Sequence, residues 1–292
     1  MMIHFRVLQP HPAILVFYDG RVPGYRFAPG SNWVDDGALS LGIASYAVVD
    51  GEDALVYDTH VSVAHAKAVR GILVERGVRR FTVALSHWHL DHVAGNEVFA
   101  DCEIIACETT AGHLRKHRDA IEAGRYEGPP PIRPLVMPSR VFKDRLALSI
   151  GSIEAELLQF DIHSDDGVVL WLPGERLLLA GDTLEDTVTY VAEPENLVRH
   201  LPELDRLAGL SPARIFPNHG CPQRIASGGY GPGLIHATTR YVSHLLEMKT
   251  QADQRGTPLR DLIAQDVASG DLVYFEGYED VHASNMERVF GA

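Results

Sequence analysis

The sequence predicts an α/β layered fold, and two observations carry that reading. Short apolar, β-branched runs recur along much of the chain, and stretches with helically spaced apolar residues lie between and after them. The bulk properties agree. With 292 residues, 46% hydrophobic and 22% charged, the chain can bury a sizeable core and has the composition of a globular enzyme. No repeat, low-complexity tract or break in composition divides it, so a single domain over 1–292 is expected, with a helical extension from about 233.

The first strands are read at AILVFYD (13–19), IASYAVV (43–49), DALVYDT (53–59) and RFTVALS (80–86). Between the last two, Ala66, Val69, Ile72 and Leu73 mark a helical face that stops before Gly77. Further strands are expected at EIIAC (103–107), EAELLQF (154–160), GVVLWLP (167–173) and RLLLAG (176–181). Leu197, Leu201, Leu204 and Ala208 define a later helix, and Leu234, Thr238, Tyr241, Val242 and Leu245 another. A short final helix is expected from Met286. Residues Gly128 to Pro134, with four prolines, must run extended and cannot join a central strand or helix; they read as a stiff connection, or as a lid beside a site.

Several function classes lose ground on composition. A net charge of −13 disfavours a nucleic-acid partner, which needs clustered Lys and Arg. No run reaches the ~18 apolar residues of a membrane span, and the first twenty residues lack a signal-peptide pattern, so a cytoplasmic protein is expected. Cys102, Cys107 and Cys221 are too few and too scattered for a disulfide framework or a Cys-type zinc site.

The chemistry concentrates in Ser86-His87-Trp88-His89-Leu90-Asp91-His92, where a strand ends and a helix is expected to begin. Three imidazoles and a carboxylate within six positions would repel or go unpaired if buried without a partner. A divalent ion resolves both problems, because neutral imidazole and carboxylate are good ligands.

This motif resembles the His-x-His-x-Asp-His signature of the metallo-β-lactamase superfamily, and matching positions follow in order over roughly residues 40–225. They are His163 in FDIHSDDGVVLWLP, Asp182 in LLLAGDT and His219 in IFPNHG. The resemblance implies a four-layer αβ/βα sandwich. It also implies two divalent ions, zinc by ligand type with iron or manganese as alternatives. His87, His89 and His163 would hold one ion, and Asp91, His92 and His219 the other, with Asp182 and a hydroxide bridging them. Asp91 and Asp182 thereby count as catalytic as well as metal-binding. Asp58 in LVYDTH matches a position that orients ligands in the family, or simply closes a turn.

Glu185, Asp186 and Tyr190 follow the bridging Asp closely enough to reach a substrate, and Tyr190 is the candidate donor to an oxyanion. His60 is expected to be a turn histidine, Cys221 a small buried residue, and Gly228–Gly233 a flexible turn.

The stretch HSDDGVVLWLPGERLLLAGD is similar to true zinc β-lactamases, but two departures count against that activity. Those enzymes carry Cys at the position of Asp182, and a carboxylate-gripping Lys at that of Glu185. The expectation is a dinuclear hydrolase of a small ester, lactone or thioester, with a homodimer as the base-rate oligomer. β-Lactamase-like amide hydrolysis and a mononuclear-iron redox enzyme of the same fold are the alternatives, with a non-catalytic binding module behind them.

Overall fold

The computed structural model describes residues 4–249 and 256–291. Two mixed β-sheets lie face to face between helices. The first runs β1 (Arg6–His11), β2 (Ile14–Asp19), β3 (Ile43–Asp50), β4 (Asp53–Tyr57), β5 (Arg80–Ala84), β6 (Glu103–Cys107) and β7 (Arg140–Phe142), in sequence order across the sheet. Its first four strands are antiparallel hairpin neighbours; from β4 to β7 the pairing is parallel. Parallel neighbours need crossovers. These are α1 (Val63–Glu75), the single turn α2 (Leu90–Val93) with a 3₁₀ turn at Asn96–Phe99, and α3 (Glu108–Glu122).

The second sheet has the order β12-β11-β10-β9-β8: β8 (Arg145–Ile150), β9 (Ile153–Ile162), β10 (Ser164–Leu172), β11 (Leu177–Gly181) and β12 (Arg214–Pro217). Helix α4 (Leu197–Gly209) joins β11 to its parallel partner β12. After β12 come α5 (Pro222–Ala226), α6 (Gly233–Met248), α7 (Leu259–Leu262), α8 (Ala264–Ser269) and α9 (Tyr278–Phe290).

Alternation along the strands sets the layers. Ile14, Val16 and Tyr18 of β2 and Ala44, Tyr46 and Val48 of β3 share a core with Leu157 of β9 and Leu170 of β10. The intervening Leu15, Phe17 and Ala47 pack instead with Ala66, Val69 and Leu73 of α1 and Leu114 of α3. Leu204 of α4 and Leu234 and Val242 of α6 cover the second sheet. The result is the expected αβ/βα sandwich. Three buried tyrosines stitch the sheets: Tyr18 donates to Gly220 O at 3.0 Å, Tyr46 to Pro217 O and Tyr57 to Val168 O.

Some elements differ from expectation. Helix α3 was not anticipated, because its inward stripe of Thr110, Ala111, Leu114 and Ile121 is narrow amid charged residues. The helix expected after the histidine motif lasts one turn. Gly95 there packs so closely that a Cβ would lie 2.2 Å from Thr59 O, and the chain turns away. The final helix starts at Tyr278 rather than Met286. The proline-rich run is a buttress: its Pro129 and Pro130 carbonyls accept from Trp33 N and Nε1 at 3.3 and 3.0 Å.

Candidate metal centre

The predicted ligands come from ends of strands, which the topology gathers at one edge of the sandwich. Asp58 follows β4, the motif 86–92 follows β5, and His163 forms the turn between β9 and β10. Asp182 follows β11 and His219 lies just beyond β12. Gly181 makes the approach possible. It has φ +58°, and a Cβ there would sit 2.7 Å from the Cβ of Ser86.

All seven residues meet. His87, His89 and His163 form one group of ligand atoms within 4.8 Å of one another, with His163 Nε2 3.1 Å from His89 Nδ1. Asp91, His92 and His219 form a second, with His219 Nε2 3.2 Å from Asp91 Oδ2 and His92 Nε2 3.5 Å from Asp91 Oδ1. Asp182 Oδ2 faces both: it lies 3.7 Å from His87 Nε2, 3.9 Å from His163 Nε2, 3.2 Å from His92 Nε2 and 3.4 Å from His219 Nε2.

The donor set fits divalent ions. His87 Nε2 and Asp182 Oδ1 are buried without a hydrogen-bond partner, an arrangement that is unfavourable unless something else occupies the space between them. Burial and the neighbouring His92 push the His87 imidazole well below its ordinary range, and burial with His163 pushes His89 down to about 3. Both are therefore neutral, with lone pairs to offer. Burial also opposes charge on His92 and His219. Asp182, first among the carboxylates around them, nevertheless holds both well above the ordinary range.

Each half has a carboxylate behind it. Asp58 is 1% exposed and lies 2.9 Å from His92 Nδ1 through Oδ2; it also accepts from Ser86 N, Ser86 Oγ and Asn218 Nδ2 at 2.7, 2.6 and 2.6 Å. This is the orienting role, not a turn closure. His219 Nδ1 donates to Gly42 O at 2.8 Å. In the other half, Glu185 Oε1 sits 3.1 Å from His163 Nδ1. Glu185 is 2% exposed; it lines the cavity, as expected of a residue within reach of substrate, and its carboxylate also backs that imidazole.

Asp186 does not line the cavity, which corrects the expectation that it meets substrate. It is fully buried and accepts from Tyr230 Oη at 2.6 Å and Val273 N at 2.8 Å. Tyr230 in turn pins Gly228–Gly233, which is no loose turn. His60 lies in the loop after β4 with φ +69°, as a turn residue does, and is buried, stacked on His65 with centroids 4.4 Å apart. Cys221 is partly exposed rather than buried. Tyr190 does line the site, its ring 5.9 Å from that of His163.

The centre forms the floor of a cavity of about 830 Å³. One wall is the segment between β2 and β3, including Val22, Trp33 and Leu39; another is the start of α9, with Val281 and Ser284 beside Phe275. Neither wall had been anticipated, because nothing in their local sequence marks proximity to the histidine motif.

The metallo-β-lactamase superfamily model matches residues 40–219. The chain belongs to this superfamily. Among curated proteins, the 2,4-dinitroanisole O-demethylase subunit alpha of Nocardioides sp. (strain JS1661) is 27% identical over 221 residues, covering 70% of this chain and 62% of that one. The β-lactamase-like protein 2 homolog of Caenorhabditis elegans is 23% identical over 157 residues, 53% of this chain and 48% of the worm protein. The chain thus spans less than two thirds of the length of either relative. Among solved structures, the metallo-β-lactamase DIM-1 is 18% identical with a TM-score of 0.60, covering 84% of this chain and 99% of that one. VMB-1 is 14% identical with a TM-score of 0.62, covering 83% and 98%. These likenesses establish the fold. Among the described residues, no helix is long and apolar enough to cross a membrane.

Proposed function

We propose that this chain is a dinuclear metal-dependent hydrolase of a small, uncharged ester, lactone or thioester. The observation that carries the reading is the convergence of two complete three-ligand groups on one shared carboxylate at the floor of a cavity. Two divalent ions held there, zinc by ligand type, would activate a water and polarise the scissile carbonyl. Asp182 and Asp91 would supply negative charge to balance the ions, while Asp58, Gly42 O and Glu185 orient the imidazoles from their Nδ1 side. Burial raises the pKa of Tyr190, which therefore keeps its proton and is placed to donate to an oxyanion at the cavity wall.

Substrate charge follows from the cavity lining. It contains no lysine, and both of its arginines are engaged. Arg21 donates to Leu41 O and Asp186 O at 2.6 and 2.8 Å, and Arg26 pairs with Asp36 at 2.6 Å. A carboxylate-bearing β-lactam would thus find no lysine and no arginine free of protein contacts to grip its carboxylate, which disfavours β-lactamase activity. A second reading, cleavage of an aryl methyl ether, is favoured by the relative named an O-demethylase subunit and by Trp33, Phe275 and Tyr190 around the cavity.

Metal content and turnover on the same chelator-free sample test both. The panel holds neutral esters, lactones and thioesters, a β-lactam and 2,4-dinitroanisole. Two ions per chain with metal-dependent cleavage of a neutral acyl substrate is the expected result; release of the phenol from the anisole would establish the second reading. A single iron without hydrolysis would overturn both.

A further inference from the structure

We propose that Glu185 is the positioning residue of the His87/His89/His163 group, and that the C-terminal helix α9 holds it in place, so that α9 is a working part of the centre. The proposal rests on the metal-binding reading above and deepens it.

His163 needs outside support. It adopts φ +69°, an uncommon conformation for a side chain of its size, at the turn between β9 and β10. Two contacts steady it. Ala192 N donates to His163 O at 3.0 Å, and Glu185 Oε1 meets His163 Nδ1 at 3.1 Å. With Nδ1 committed to the carboxylate, Nε2 carries the lone pair and points into the group, 3.1 Å from His89 Nδ1.

Glu185 is in turn held from a distance. Its Oε1 also accepts from Tyr190 N at 2.9 Å, and its Oε2 accepts from the hydroxyl of Tyr278 at 3.1 Å, 93 residues further along the chain. Tyr278 opens α9, and the same helix grips the irregular segment after Glu185 at two more places. Buried Asn285 accepts from Val191 N at 2.8 Å and donates to Thr189 O at 2.9 Å. Arg288 donates to Val191 O at 3.0 Å and Ala192 O at 2.6 Å. Tyr278, Asn285 and Arg288 are spaced to lie along one side of a helix. That side thus fixes both residues that steady His163. Helix α9 lies beyond the matched span of 40–219, so the superfamily match does not account for it.

The test is a zinc and cobalt(II) titration of the full chain, wild type against Glu185→Gln, Tyr278→Phe and, as the opposite control, Asp58→Asn. Glu185→Gln and Tyr278→Phe are expected to weaken one of the two binding events by about 10–100-fold and to change the visible bands of the cobalt ion bound there. Asp58→Asn should weaken the other event more than this one, because Asp58 meets His92 directly and reaches His87 only through Ser86 Oγ. Thermal unfolding of the metal-free Tyr278→Phe chain, which keeps the ring packing but loses one buried hydrogen bond, should shift down yet stay a single cooperative transition above the titration temperature, so that a folded chain is what binds less metal. If wild type binds two ions and both variants match it, or if they weaken both events equally, the proposal is overturned and the metal reading stands. If wild type binds no ion, the metal reading falls and the proposal with it.

Discussion

The two halves of the centre are backed by the same chemical device, built in different ways. Behind His92, Asp58 is anchored by groups close to the motif: Ser86 beside His87, and Asn218 beside His219. Behind His163, Glu185 is anchored by Tyr278, on a helix at the far end of the chain. The first arrangement travels with the strand ends that carry the ligands. The second takes one of its two anchors, the Tyr278 hydroxyl, from α9; the other is Tyr190 N. One half is therefore self-supporting, and the other is coupled to a helix that also walls the cavity.

The contrast can be broken at its joint. Asp182→Ala removes the one carboxylate that faces both halves, so loss of both ions and of turnover together is expected, beyond the about 10–100-fold typical of outer partners. Metal analysis and activity, with circular dichroism to confirm retained strands, would check it. An Asp182→Ala chain that keeps both ions would mean the halves do not share that ligand.

A second probe lies on α4, which covers the strand leading to His163. His200 is fully buried, and neither ring nitrogen has a partner. Burial, with a smaller push from His163, lowers its pKa to about 4. In the unfolded chain the imidazole titrates near ~6.5, so the unfolded state binds the proton first as pH falls. The stability due to its neutrality is full above that value and is lost as pH drops towards 4, up to about 3 kcal/mol in all. Urea unfolding of wild type and His200→Leu at pH 7 and 5 would show it: the variant should lose less stability on acidification. Equal losses would count against the buried neutral imidazole.

Asn285→Ala would strip Val191 N and Thr189 O of their partner, costing about 1–3 kcal/mol of stability. It should also loosen metal binding in the Glu185-backed half, whereas Asn218→Ala should act only on the Asp58-backed half. Metal titration of the pair would sharpen or erase the distinction. The smallest effect is expected from Tyr190→Phe. Loss of a hydroxyl donor at the wall should lower kcat by about tenfold with metal content unchanged, less than an oxyanion donor at its strongest. An unchanged kcat would remove Tyr190 from catalysis.

How much of this was legible in the sequence depends on distance along the chain. The motif 86–92 was legible because three imidazoles and a carboxylate packed into one strand-end loop leave a dense local signature, and His163, Asp182 and His219 could then be sought behind apolar strands in a known order. Strands β2–β6 and β9–β11 were legible because their alternating or continuous apolar runs must be buried. Helix α3 was not, since its buried stripe is too narrow for its pattern to stand out from a charged surface. The contact of Glu185 with His163 was not legible for a related reason. From sequence Glu185 is an acid three residues past a ligand, and only the turn of the chain decides whether it meets the imidazole.

The sequence by itself determined the fold class, the superfamily and the seven residues gathered at the centre, because those depend on burial patterns and on short-range spacing of chemically unusual residues. The tertiary structure alone decided which carboxylate backs which histidine, that both cavity arginines are engaged, and that α9 reaches back to Glu185. Those are contacts between segments far apart in the chain, and no local preference records which distant side chain will fill the last hydrogen bond.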